Sequence, residues 1–237
     1  MPALVTSYFL ESIHTGSGDS TSLVTPSFTP SNGEVIVVKA TTWDTGTAAG
    51  TPSGGGLTYT RQATAAPGGF NGYAAIFTAV VSGSPGSMTV TLSPPAASSY
   101  HCMTVERWSN AQVAVTPAVS SPITGNSTNA SATITTTAAN SIVTWADVDE
   151  TSQNPDPGTG GGRSYLSGAT EDGMGDGHST SASVQYFAYQ TAASAGSQTI
   201  GMVTPPNQKW TMIGIEILDA ASGPSTPPGA AFMTFFD

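Results

Sequence analysis

The chain carries one pattern twice, and this restricts its fold more than any single motif does. Residues 29–64 align without a gap on residues 135–170, an offset of 106 (135 − 29). The match sets Ile36-Val37 on Ile142-Val143, Gly54-Gly55-Gly56 on Gly160-Gly161-Gly162, and Tyr59 on Tyr165. Beyond a short insertion the offset becomes 110 (199 − 89), placing Phe77, Tyr100 and Glu106 on Phe187, Trp210 and Glu216. Two copies of one half imply a scaffold of two related halves about a pseudo-twofold axis.

Both copies read as β. Short stretches of β-branched and aromatic residues stand between Gly, Pro and Asn, and no segment sustains a helical period. In the first half, strands are expected near 22–29, 34–43, 57–63, 72–81, 87–93 and 100–108. In the second they are expected near 129–137, 141–149, 163–169, 181–190, 196–203 and 209–218. Val35-Ile36-Val37-Val38 and Met212-Ile213-Gly214-Ile215 are unbroken apolar runs, suited to strands covered on both faces. Thr89-Val90-Thr91-Leu92 and Ala132-Thr133-Ile134-Thr135 alternate, as half-exposed strands do. The expected fold is an all-β, jelly-roll-like β-sandwich built from two pseudo-symmetric repeats. Its parts are an N-terminal arm (1–20), the sandwich (21–221, with halves near 21–115 and 125–220), and a C-terminal tail (222–237). Short strands and the lack of a long linker favour one domain over two.

Charge narrows the partners. Only 8% of the 237 residues are charged, against about 25% in an average soluble chain. Five Lys and Arg face 15 Asp and Glu, a net charge of −10. Tracking a phosphate backbone needs clustered cations, so nucleic acid is excluded as a partner, and an anionic membrane with it. No apolar run has the length of a membrane span. The N-terminal stretch lacks the basic region and apolar core of a secretory signal. The single Cys102 excludes an internal disulfide framework. A neutral, hydroxyl-rich surface of extracellular style without export signal or disulfides fits a protein made in a bacterial cytoplasm and released by lysis.

Chemistry-bearing residues are few. His14, His101 and His178 belong to no metal motif. His101 and Cys102 are neighbours in a strand and point to opposite faces, one to the core and one toward the surface, so they form no nucleophile and base pair. Gly18-Asp19-Ser20 lies in the arm, outside any nucleophile elbow. The interval from Asp147 to Asp176 is acidic, with Arg163 alone opposing it. Carboxylates on Gly-rich loops suit Ca²⁺, and Asp147, Asp149, Glu171, Asp172 and Asp176 are the candidate ligands; no other cofactor is expected. Among the aromatic residues Trp43, near a loop, is the candidate exposed ring for stacking on a sugar.

The combination Asn32-Gly33-Glu34-Val35-Ile36-Val37-Val38, Thr42-Trp43-Asp44, Gly54-Gly55-Gly56-Leu57-Thr58-Tyr59 and Ile76-Phe77-Thr78-Ala79 resembles β-sandwich virion structural proteins, minor tail or accessory, of tailed phages infecting actinobacteria. The resemblance spans about residues 21–220 and rests on framework positions. It implies a non-enzymatic minor tail or capsid decoration protein in a homo-oligomeric or otherwise symmetric assembly with other virion proteins. The alternative is a carbohydrate-binding or host-receptor-binding fibre module that meets a surface glycan. Outside the resemblance, the arms carry apolar residues suited to docking on a neighbouring subunit: Tyr8 and Phe9 at one end, and Phe232, Met233, Phe235 and Phe236 beyond a Pro/Gly/Ser linker at the other.

Overall fold

The computed structural model describes residues 1–12, 21–43, 48–65, 72–94, 100–114, 123–150, 162–175, 183–204 and 208–221. Sixteen strands follow in chain order: β1 (Ala3–Glu11), β2 (Leu23–Val24), β3 (Val35–Trp43), β4 (Thr60–Ala65), β5 (Tyr73–Val80), β6 (Thr91–Leu92), β7 (Tyr100–Ser109), β8 (Ala111–Gln112), β9 (Ile123–Thr128), β10 (Ser131–Thr136), β11 (Ser141–Glu150), β12 (Ser164–Tyr165), β13 (Thr170–Gly175), β14 (Ser183–Ala192), β15 (Gly196–Thr204) and β16 (Gln208–Asp219).

Two large antiparallel sheets lie at the centre. The first runs β1-β7-β3-β5-β4, and the second β13-β14-β11-β16, with β8 and β9 pairing different ends of β16. The second half thus repeats the strand order of the first, with β11 in the place of β3, β16 of β7, β14 of β5 and β13 of β4. A small layer covers the outer face of each large sheet: β2 and β6 on one side, β10-β15-β12 on the other. The molecule is therefore four sheets deep. The depth explains the unbroken apolar runs: every residue of β3 is buried, because one side of the strand meets an outer layer and the other meets the opposite large sheet.

Three cores result. The outer ones contain Ile36, Val38, Phe77 and Val105 in the first half, and Val143, Trp145, Tyr186 and Met212 in the second. The central core is drawn from both halves, with Val35, Val37, Ile76 and Trp108 against Ile142, Val148, Phe187, Ile213, Ile215 and Ile217. At about 1.5–3 kcal/mol for each large side chain fully buried, this shared face favours the halves as one unit.

The ladder corrects the sequence repeat by one residue. A gapless offset of 106 sets Ile36 on Ile142, yet Ile36 faces an outer core and Ile142 the central one. Matching faces equates Val35 with Ile142, and places Gly33 (φ 83°) on Asn140 (φ 56°), the left-handed residue of the turn into each strand. Likewise Phe77 belongs to an outer core while Phe187 belongs to the central one. A one-residue slip in a strand reverses every side chain, which is why identity alone misplaced the register. Tyr59 and Tyr165 both sit toward outer cores, but Tyr59 precedes β4 whereas Tyr165 lies within β12.

The N-terminal arm is also corrected. Residues 3–11 are a strand of the first large sheet, paired with β7 from Ala3↔Ser109 to Glu11↔Cys102. Tyr8 stacks on Phe28 at 5.5 Å, and Phe9 packs on Phe187 at 5.9 Å. These two rings, expected to dock on a neighbour, hold β1 to its own fold. The anchors of the C-terminal tail, Phe232, Met233, Phe235 and Phe236, lie outside the described residues.

Ile215→Ala, at the centre of the shared face, should cost about 2–5 kcal/mol. Because both halves build that core, denaturant unfolding followed by tryptophan fluorescence and by far-UV circular dichroism should shift as one coincident transition. Two separate transitions would show that the halves stand independently.

Candidate functional site

The central core holds one group that apolar packing would reject. Lys39 lies midway along β3 on the face turned to the opposite sheet, with its side chain fully buried. A buried ammonium is tolerated only with charged partners, and two are supplied. Glu106 on β7, fully buried, accepts from Lys39 Nζ through Oε1 at 2.8 Å. Asp172 comes from the other half and accepts from Nζ through Oδ1 at 2.8 Å and Oδ2 at 3.0 Å. Nζ also approaches the Ala188 carbonyl at 3.4 Å.

Local irregularity delivers Asp172. The β13–β14 ladder shifts between Glu171 and Gly173, so Asp172 is the extra residue of a β-bulge, and a bulge re-aims the side chain it carries. The neighbouring Gly173 lets β13 approach β1 and β7: a methyl group there would come within 2.5 Å of the Phe9 ring and 3.0 Å of Thr104 Oγ1. Ser7 Oγ donates to Asp172 Oδ2 at 3.3 Å. Glu106 is fixed by Trp108 Nε1, which donates to Oε2 at 2.9 Å, and by Thr144 Oγ1, which donates to Oε1 at 2.8 Å. The Phe187 ring stands 5.9 Å from Nζ and closes the apolar side.

One cation therefore meets two carboxylates. Burial opposes the charge on Lys39, but Asp172 and Glu106 outweigh it and hold the ammonium above its ordinary range. Burial, with Glu106 adding to it and Lys39 opposing, pushes the Asp172 carboxyl up to about 7. Asp172 thus holds a proton at higher pH than a free carboxyl does. Removing one member of a buried ion pair costs about 3–5 kcal/mol, since the other is left uncompensated. The cluster consequently fixes which residues of the two large sheets face each other.

The carboxylates expected around a Ca²⁺ ion are spread over separate places. Asp147 and Asp149 lie buried on the outer-core side of β11, Asp172 is bound to Lys39, and Glu171 pairs with Arg163 and accepts from the Tyr165 hydroxyl. Asp176 lies outside the described residues, as do His14 and His178. Among the described residues no three His, Cys, Asp or Glu side chains form a metal-sized group. Trp43, expected as an exposed stacking ring, is only 7% exposed and belongs to the central core, because the end of β3 is still covered by the second sheet. His101 and Cys102 do point apart, yet both are buried, because the sheet is covered on both faces. His101 Nδ1 bonds Ser12 Oγ at 2.8 Å, and the Cys102 thiol donates to the Tyr100 hydroxyl at 3.3 Å. The Ser12–His101 pair is sealed from solvent and ties the end of β1 to β7.

Lys39 and Glu106 were not singled out from the sequence. The available signal was a lysine, one of only two in the chain, directly following the apolar run of β3. No family model, curated protein or solved structure matches this chain.

Asp147 gives a pH test. It is fully buried, and neither carboxylate oxygen has a side-chain hydrogen-bond partner among the described residues. Burial, then the neighbouring Asp149, raises its carboxyl well above the ordinary range. A carboxyl raised in the folded state contributes stability that is full below its unfolded pKa and is lost as pH rises toward the folded one. Asp147→Asn should therefore raise the melting temperature at pH 8 more than at pH 5. Equal shifts at both pH values would contradict the assignment.

Proposed function

We propose that this chain is a non-enzymatic structural protein of a tailed-phage virion, a minor tail or capsid decoration protein displayed on the particle. The observation that carries the reading is where the cations go. Lys39 is spent on Glu106 and Asp172. Arg107 is bound to Glu34, and Arg163 to Glu171. Arg61 donates to the Ala49 carbonyl and lies over the Phe77 ring, and Lys209 is half-buried in β16. Of the five side-chain cations only Arg61 is exposed, so the described surface offers little free positive charge. Such a surface suits a scaffold exposed outside cells. It does not suit a protein that grips nucleic acid. No helix among the described residues is long and apolar enough to cross a membrane.

With residues 3–11 built into the fold, docking falls to 222–237. If the reading is right, the chain should remain in gradient-purified particles by mass spectrometry and immunogold labelling, and deletion of 229–237 should leave a folded protein absent from them. Recovery of the full chain only in the soluble lysate would count against it.

The alternative, a glycan-binding fibre module, loses Trp43 as its platform. It retains an open groove of about 430 Å³ beside the edge strand β4, where Thr58, Thr60, Gln62, Thr78 and Ser82 offer hydroxyl and amide groups. Binding on a glycan array that Thr60→Val abolishes would favour this reading.

All five trypsin sites lie within described strands or beside them. The folded chain should survive trypsin at a dose that digests the urea-unfolded chain.

A further inference from the structure

The Lys39 cluster has the composition and placement of a reaction centre as well as a clamp. Its members are a primary amine, a carboxyl that addresses that amine with both oxygens, and a second carboxylate touching the amine. All three are sealed between two sheets, with side-chain exposures of 0%, 3% and 0% for Lys39, Asp172 and Glu106. The other described ion pairs lack this combination: Arg107–Glu34 and Arg163–Glu171 offer guanidinium groups, which stay protonated and are poor nucleophiles, and the Met1 amino group paired with Asp219 is open to solvent. Its partners hold Lys39 as an ammonium, so it becomes nucleophilic on passing a proton to Asp172 inside the water-free site. Here the Phe187 ring faces Nζ, and Phe9 packs against Phe187.

We propose that Lys39 and Asp172 close an intramolecular isopeptide bond between the two halves of the fold, with Glu106 carrying the proton. The step balances without any co-reactant. A proton passes along the Lys39–Asp172 hydrogen bond, turning the ion pair into a neutral amine and a neutral acid. The Nζ lone pair attacks Cγ of Asp172, and the new Nζ–Cγ bond forms as Glu106 takes a proton from nitrogen. Glu106 returns that proton to the departing hydroxyl, the Cγ–O bond breaks, and one water leaves. Lys39 has become an amide nitrogen and Asp172 an amide carbonyl, while Glu106 ends as it began.

Each requirement is met by a contact already described. Nζ lies 2.8 and 3.0 Å from the two Asp172 oxygens, so the carbon between them is the nearest electrophile, and holding reactants at such range replaces a bimolecular encounter. Glu106 Oε1 is 2.8 Å from the same nitrogen, within the reach a proton carrier needs. Trp108 holds Glu106 by Oε2, and Thr144 bonds both oxygens, so the carboxylate is oriented toward Nζ. The raised carboxyl of Asp172 supports its reacting as the neutral acid. The link would join β3 of the first half to β13 of the second, residues 133 apart in the chain, so that neither large sheet could leave the other without breaking a covalent bond.

Intact-mass spectrometry of the full chain, purified and then denatured, decides the matter. Wild type is expected about 18 Da, one water, below its sequence mass. Tryptic digestion of the unfolded chain should release a branched product in which residues 1–61, uncut at the acylated Lys39, are joined to residues 164–209. Lys39→Arg and Asp172→Ala should restore the sequence mass. Glu106→Gln, which keeps size and hydrogen bonding, should fold by circular dichroism and also remain at sequence mass. Wild type at its full sequence mass after incubation between pH 5 and pH 9 overturns the proposal. So does a one-water loss that persists in Lys39→Arg, which would mark a cyclic imide at Asp172-Gly173 instead. The branched product needs no variant, so its presence or absence decides the question even if a substitution prevents folding.

Discussion

An ammonium group inside an apolar sheet contact permits very few arrangements around it. Lys39 must meet Glu106 along its own sheet and Asp172 from the opposite one, and neither can slide by a strand or a residue without stranding a charge. The purely apolar part of the central core, with Ile76, Ile213 and Ile215 among its members, would tolerate a shifted stacking with little change in buried area. The ion cluster therefore supplies specificity where the hydrophobic contact supplies most of the energy, a division for which buried polar groups are well suited. The bulge at Asp172, the glycine at 173 and the packing of Phe9 all serve the geometry of that one site.

The cluster also marks the difference between the halves. At the position equivalent to Lys39 the second half has Ala146, and equivalent to Glu106 it has Ile215, both turned to the same central core. The buried charge is thus present on one side of the shared face and has no counterpart at the equivalent place. A stacking of two identical halves would leave rotation about the common axis undecided, and the Lys39 cluster removes that ambiguity.

Much of this architecture was legible in the chain. The unbroken runs Val35–Val38 and Met212–Ile215 announced strands covered on both faces, and the alternation from Ala132 to Thr135 announced a half-exposed outer strand, as the burial of β10 bears out. Strand register was not legible at the level of one residue, because Ile36 and Ile142 match in identity and chemistry while facing different cores. The first strand was hidden for a related reason: Leu4 to Leu10 is too short and too mixed to distinguish an edge strand from an arm until β7 is seen to pair with it. The candidate site was legible only in part. Asp172 was noticed as one acid among several, but its partner lies 133 residues away, and sequence proximity grouped it with carboxylates that the fold sends elsewhere.

A molecule four sheets deep keeps its longest strands to itself. Any visitor meets the exposed sides of the small outer layers and the connections between strands, which contribute no charged group to the Lys39 cluster. Mutation can rewrite that periphery freely, one loop at a time, while the interior wiring remains unchanged. A scaffold organised in this way can change what it recognises over generations without having to relearn how to fold.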